Sequence, residues 1–298
     1  MNSPTAPSSL RADGFAIDVQ ALTLQFGPVT AVDHIDLQVP YGVIFGVLGA
    51  DGASKSSTIK MLTTLLPPTS GLARVAGYEI SDNPHEVRKR IAYVPQMLSA
   101  DGALTGRENL LLSARLYGIP PRERRSRIQA ALDFMGLSDS ADRLVKTYSG
   151  GMVRRLELAQ AMLHKPVVLF LDEPTIGLDP VARHAVWKHL KGLNQDYHMT
   201  ILLTTHDMEE ADHLCSDVAL LYRGRMAIQG TPAALNAAIG EHATLDDVFA
   251  RFSGSSSDVG RLAIRGPFLE RDLGDKFGGN EDSALGVGRR ERVGRQSR

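Results

Sequence analysis

The segment Gly49-Ala50-Asp51-Gly52-Ala53-Ser54-Lys55-Ser56 carries the residue types and spacing of an anion cradle. An apolar run at 43–48 leads in, and an amphipathic stretch at 56–66 leads out, with Ile59, Leu62 and Leu66 at helical spacing. Lys55 and Ser56 therefore fall at a helix start. Free backbone N–H groups and the helix dipole favour a bound anion there. The segment follows the phosphate-loop pattern G-x-x-x-x-G-K-[ST] at every fixed position but one. In that pattern the lysine reaches the β- and γ-phosphates of a nucleotide and the hydroxyl ligates Mg²⁺.

The exception is Ser54, which stands where the pattern has its second glycine. Glycine serves where φ is positive or where backbone must approach a ligand closely. A serine Cβ costs about 1–2 kcal/mol if φ is left-handed, and crowds the phosphates if it is not. At an ordinary negative φ its hydroxyl could instead bond a phosphate oxygen. Asp51 adds a carboxylate to a loop built for anions, so repulsion weakens nucleotide binding. Both departures predict a weak nucleotide site.

Three further signals accompany the loop. Val167-Val168-Leu169-Phe170-Leu171-Asp172-Glu173 is an apolar strand ending in two carboxylates. That is the setting of an aspartate that holds Mg²⁺ through water and a glutamate that activates water. Tyr148-Ser149-Gly150-Gly151-Met152 opens a helical pattern and makes a second anion site. Two cradles in one chain make sense if the second serves a nucleotide held by another chain. His206 follows the apolar strand at 200–205, where a histidine is placed to meet a ligand. Gln96 ends another apolar segment, Tyr93-Val94-Pro95-Gln96.

These residues need a scaffold. Short apolar runs alternate with helical patterns at 56–66, 122–135 and 150–163, which predicts an α/β fold with a largely parallel sheet. The stretch 97–165 reads as almost wholly helical and predicts an inserted helical subdomain. The 298 residues are 43% hydrophobic and 22% charged, a globular composition that can bury a core. The formal net charge is −1, so no overall drive toward nucleic acid exists and no nucleic-acid partner is expected. A single cysteine, Cys215, excludes an intrachain disulfide framework and a cysteine-rich zinc site. No run reaches the ~18 apolar residues of a bilayer span. The start of the chain lacks the pattern of a signal peptide. A cytoplasmic setting is expected.

Over residues 19–254 the chain resembles the nucleotide-binding subunits of ATP-binding cassette (ABC) transporters. The motifs come in that family's order: phosphate loop 49–56, Gln96, the signature YSGGM at 148–152, the acidic strand end at Asp172-Glu173, the loop Gly177-Leu178-Asp179-Pro180, and His206. The surrounding text (AVDHIDL, LTGRENLLLSARLYG, LDEPTIGLDP, LLTTHDMEEAD) most resembles the daunorubicin-resistance-type exporter ATPases.

The resemblance implies a P-loop NTPase fold: a RecA-like core, an N-terminal antiparallel β subdomain and the helical subdomain. It implies ATP and Mg²⁺ as ligands. Phe26 would stack on adenine, and the phosphate loop with Ser57 would hold the phosphates. Ser56, Gln96 and Asp172 would serve the metal, Glu173 would polarise the attacking water, and His206 would contact the γ-phosphate. Ser149, Gly150 and Gly151 would close over the nucleotide of a second copy in an ATP-dependent homodimer, with Asp179 in the loop between. A separate transmembrane permease would hold the protein at the inner face of the cell membrane and pass a drug-like or lipid-like compound outward. The altered phosphate loop leaves a second reading, a hydrolysis-impaired scaffold or regulatory subunit. The expected organisation is a flexible leader at 1–14, the ATP-binding domain at 15–252 with its helical part near 97–165, and a disordered tail at 253–298.

Overall fold

A computed structural model describes residues 14–254. Except for residues 14, 253 and 254, the expected leader and tail lie outside the described residues. Two sheets form the frame. β1 (Phe15–Phe26), β2 (Val29–Pro40), β4 (Ser70–Val75) and β5 (Tyr78–Glu79) make an antiparallel sheet in the order β2-β1-β4-β5. The second sheet runs β10-β9-β3-β8-β7-β6, from β3 (Ile44–Leu48), β6 (Ile91–Val94), β7 (Val168–Asp172), β8 (Thr200–Thr205), β9 (Asp217–Tyr222) and β10 (Arg225–Gly230). All its neighbours pair in parallel except the edge strand β10.

The parallel strands are covered on both faces, so they read as unbroken apolar runs rather than alternating ones. Phe45, Val47, Phe170 and Leu202 face the antiparallel sheet and α1 (Lys55–Leu62). Their neighbours Ile44, Leu48, Leu169, Leu171 and Leu203 face the other way, into the helical layer. That layer includes α5 (Gly150–Met162), α6 (Pro180–Tyr197), α7 (Met208–Leu214) and α9 (Leu245–Gly254). α2 (Pro84–Arg90) precedes β6, and α8 (Pro232–Ile239) follows β10.

The insert between β6 and β7 is less helical than its sequence suggests. It holds α3 (Gly106–Leu116), α4 (Pro121–Phe134) and α5, with irregular chain at 97–105 and short 3-10 turns in 135–149. Gly118 and Gly136, at φ 68° and 63°, end α3 and α4 in the left-handed turn that glycine permits. α1 is also shorter than the 56–66 pattern. It stops at Leu62, and Thr64 turns left-handed at φ 62° just before Pro67 and Pro68.

Glu210 on α7 is buried and ties three elements together. Its Oε1 accepts from Thr175 Oγ1 at 2.7 Å, after β7, and from Trp187 Nε1 at 3.0 Å, on α6. Burial raises the Glu210 pKa above the carboxylate norm, and these donors only partly offset it. A carboxylate with a raised folded-state pKa costs stability above that pKa, and the cost vanishes as it protonates on acidification. Glu210→Gln keeps the acceptor and removes the charge. It should raise the thermal unfolding midpoint at pH 8, and the gap to wild type should close as the pH falls toward 5. A pH-independent gap in calorimetry would assign the effect to packing.

Candidate active site

Four neighbouring strands, β3, β8, β7 and β6, end at the same edge of the sheet, and each delivers one part of the site. This is the edge where α/β proteins bind ligands. β3 delivers the phosphate loop. Gly49 there admits no side chain, because a Cβ would sit 2.5 Å from the Leu221 carbonyl oxygen. Ala53 N–H closes a turn onto Ala50 O at 3.1 Å, and Gly52 turns left-handed at φ 79°. Ser57 lies in the first turn of α1.

Ser54 caps α1 at φ 74°, in the left-handed region, and its side chain makes no capping bond. The strained alternative of the sequence reading is therefore the observed one. The strain belongs to the fold of the loop itself, so replacing Ser54 acts on stability. Its carbonyl is well used: Thr58 donates to it from N at 3.0 Å and from Oγ1 at 3.1 Å.

Lys55 is buried. Its Nζ donates to Gly49 O at 2.6 Å and Ala50 O at 3.2 Å, and lies 3.2 Å from Glu173 Oε1. Ser56 Oγ donates to Asp172 Oδ1 at 3.0 Å. The same oxygen accepts from Thr204 Oγ1 at 2.6 Å. Tyr93 lies beside this carboxylate. Burial first, then the Asp172 charge and hydrogen bond, pushes the Tyr93 hydroxyl pKa up to about 12, so it remains a proton donor.

Glu173 sits at φ 48°, an uncommon conformation for a side chain of its size and one that collects at functional positions. Thr204 holds it there: Glu173 N–H donates to both Thr204 O and Thr204 Oγ1 at 3.1 Å. The side chain is buried but reaches the surface groups of the site. Its Oε2 lies 3.2 Å from His206 Nδ1 and accepts from Gln96 Nε2 at 3.5 Å. His206 is 47% exposed, and Asp51, also exposed, brings a carboxylate oxygen within 4.8 Å of ligand atoms of both Glu173 and His206.

The structure thus gathers Asp51, Lys55, Ser56, Gln96, Asp172, Glu173 and His206 at one place. Other expected site residues stand apart from that cluster. Phe26 is exposed at the tip of the β1–β2 hairpin. Ser149 caps α5 by accepting from Met152 N, and Asp179 caps α6 by accepting from Ala182 N. Gly151 lets the two helix starts meet, since a Cβ would fall 2.7 Å from the Ala182 Cβ. Ser149 and Gly150 are exposed. Sequence reasoning missed Tyr93 and Thr204. Thr204 left one usable signal, its place in the Thr204-Thr205 pair that closes the apolar run Ile201–Leu203 ahead of His206.

Replacing Ser54 with glycine removes the left-handed penalty of about 1–2 kcal/mol and adds glycine's unfolded-state entropy of about 0.5–1 kcal/mol. Ser54→Gly should therefore raise the unfolding midpoint modestly, by about 1–4 °C. A lowered midpoint in thermal unfolding would show that Ser54 makes a contact outweighing its strain.

The comparisons with known proteins agree with this geometry. Residues 32–176 match the family model described as ABC transporter. The chain is 44% identical over 227 residues to the daunorubicin/doxorubicin resistance ATP-binding protein DrrA of Streptomyces peucetius, covering 76% of this chain and 68% of that one. It is 38% identical over 275 residues to the Nod factor export ATP-binding protein I of Sinorhizobium fredii, covering 91% of this chain and 76% of that one. Among solved structures, an ATP-binding subunit of an ABC transporter superposes with a TM-score of 0.71 at 28% identity, covering 80% of this chain and 99% of that one. CbiO1 of Clostridium perfringens, part of the transporter complex cbiONQ, gives 0.70 at 26% identity, covering 76% and 92%. The strand–loop–helix that carries Lys55 and Ser56, the Asp172-Glu173 strand end and these relatives place the chain in the ABC transporter family, as an ATP-binding, ATP-hydrolysing subunit.

Proposed function

We propose that this subunit drives export of a drug-like or lipid-like compound through a separate membrane-spanning chain, and that it acts as an ATP-dependent homodimer. The observation that carries the hydrolytic part is the convergence of Lys55, Gln96, Glu173 and His206 on one sheet edge. The relatives' names supply the transport part: one confers daunorubicin/doxorubicin resistance and another exports Nod factor. No helix among the described residues is long and apolar enough to cross a membrane, which fits a permease on another chain. That permease would hold the subunit at the inner face of the cell membrane.

The donor set at Ser56, Asp172 and Gln96 is oxygen only, which suits Mg²⁺ rather than a softer metal. When bound there, Mg²⁺ neutralises charge on the β- and γ-phosphates. This chain's own groups do the rest. Lys55 exchanges Glu173 for phosphate as its counter-charge. Glu173, released from that contact, accepts the proton of the attacking water. His206 and Gln96 orient around it. Exposed Ser149 and Gly150, with Gly151 behind them, cap the ATP of the second copy, and Phe26 stacks on adenine.

Glu173→Gln keeps the shape and removes the base, so turnover should fall at least about a hundredfold while ATP stays bound. Light scattering of that variant with ATP·Mg²⁺ should then show a dimer. Unchanged turnover would overturn the role of Glu173, and a monomer with ATP demonstrably bound would overturn the homodimer. Asp51 repels the phosphates from the rim of the loop. Asp51→Asn should tighten ATP by roughly fivefold at low salt, the equivalent of about 1 kcal/mol, and the gain should shrink in titration calorimetry as salt is added.

A further inference from the structure

The insert contains a buried ion pair that none of the motifs accounts for. Arg154 and Glu157, one turn apart on α5, are each 2% exposed in the side chain and meet at 3.0 Å. Both point at the segment that carries Gln96. Arg154 Nη1 donates to Pro95 O at 2.8 Å, and Nη2 donates to Gln96 O at 2.8 Å. Glu157 Oε1 accepts from the Ser99 backbone N–H and from Ser99 Oγ at 3.0 Å. The guanidinium fork and the carboxylate thus clamp residues 95–99 at both ends. A lysine in this place would lose the planar fork, whose two nitrogens each hold a separate carbonyl here.

Ser149, Gly150 and Gly151 open the same helix three to five residues before Arg154. At the other end, the Gln96 side chain donates to Glu173 Oε2. A continuous path therefore runs from the signature helix through Arg154 to the Gln96 backbone, and from the Gln96 amide to the carboxylate of Glu173. Buried charges are costly to hold and are worth holding where they fix one arrangement against others.

We infer that Arg154 and Glu157 are positioning residues that make the signature helix and the Gln96 segment move as one body, setting Gln96 against Glu173 and its metal site. Displacement of α5 by a nucleotide at the signature surface then shifts the amide that faces Glu173. The inference rests on the reading of Glu173 and Gln96 above. A Glu173→Gln control with wild-type turnover would refute that reading by itself, while the effect of the pair on turnover remains measurable.

The test uses the purified full chain. Arg154→Met/Glu157→Met removes both charges at similar volume, and such exchanges of buried pairs for apolar residues commonly preserve folding. Three measurements are made: thermal unfolding, binding of a fluorescent ATP analogue without Mg²⁺, and ATPase activity titrated with ATP and Mg²⁺. The expected result is a folded protein that binds the analogue within about twofold of wild type, with kcat down at least about tenfold and a higher Mg²⁺ requirement for half-maximal rate. A purely structural pair would change the unfolding midpoint and leave kcat and the Mg²⁺ requirement of the folded fraction unchanged, which would overturn the inference. If the double variant does not fold, Arg154→Lys decides. It keeps the charge against Glu157 and loses the fork, so kcat should fall about fivefold or more at unchanged KM for ATP. An Arg154→Lys protein with wild-type kcat and Mg²⁺ dependence would equally overturn it.

Discussion

A buried ammonium and a buried carboxylate 3.2 Å apart, Lys55 and Glu173, set the terms for everything around them. Neither charge can be left alone in the interior, since an uncompensated buried partner costs about 3–5 kcal/mol. Each neutralises the other, and the carbonyls of Gly49 and Ala50 complete the shell of Lys55. On the proposed function, an arriving phosphate is a competing counter-ion for Lys55. It can take Lys55 only as Glu173 finds other partners, and His206 and Gln96 already stand at its second oxygen. On that reading, freeing the base and binding the substrate become one event.

That arrangement is held by strain and by hydroxyls. Glu173 and Ser54 both occupy left-handed backbone, a conformation that persists only where the surroundings over-determine it. Thr204 supplies much of that determination. It accepts the Glu173 N–H and donates to Asp172, so the acidic strand end is braced from the neighbouring strand. Parallel pairing of β7 with β8, Asp172 opposite Thr204, makes this contact a matter of register. A slip of one residue would turn Thr204 to the other face of the sheet.

The rest of the molecule serves to keep that edge in place. Apolar side chains on both faces of β3, β7 and β8 fix the strands between two cores. The helical insert then brings a second chemistry to the border of the first. α5 starts at a glycine pair of which Gly150 is exposed and Gly151 buried, and it leans, through Arg154 and Glu157, on the segment that bears Gln96.

Residues that act through consecutive backbone were legible before any coordinates. The phosphate loop, the glycine pair at 150–151 and the acidic strand end depend on local spacing, and local spacing survives in one dimension. So did the α/β alternation, because buried parallel strands must be apolar throughout and the helices between them amphipathic. The glycine stops at 118 and 136 that break the insert into shorter helices were present in the sequence but outweighed by the apolar pattern around them. Only the tertiary structure decided which conformation Ser54 takes, since its residue type is compatible with either sign of φ. It alone joined Thr204 to Asp172 across 32 residues and Arg154 to Gln96 across 58. Such contacts obey no period. They arise from strand register and helix placement, and those follow from the burial of the whole apolar set at once.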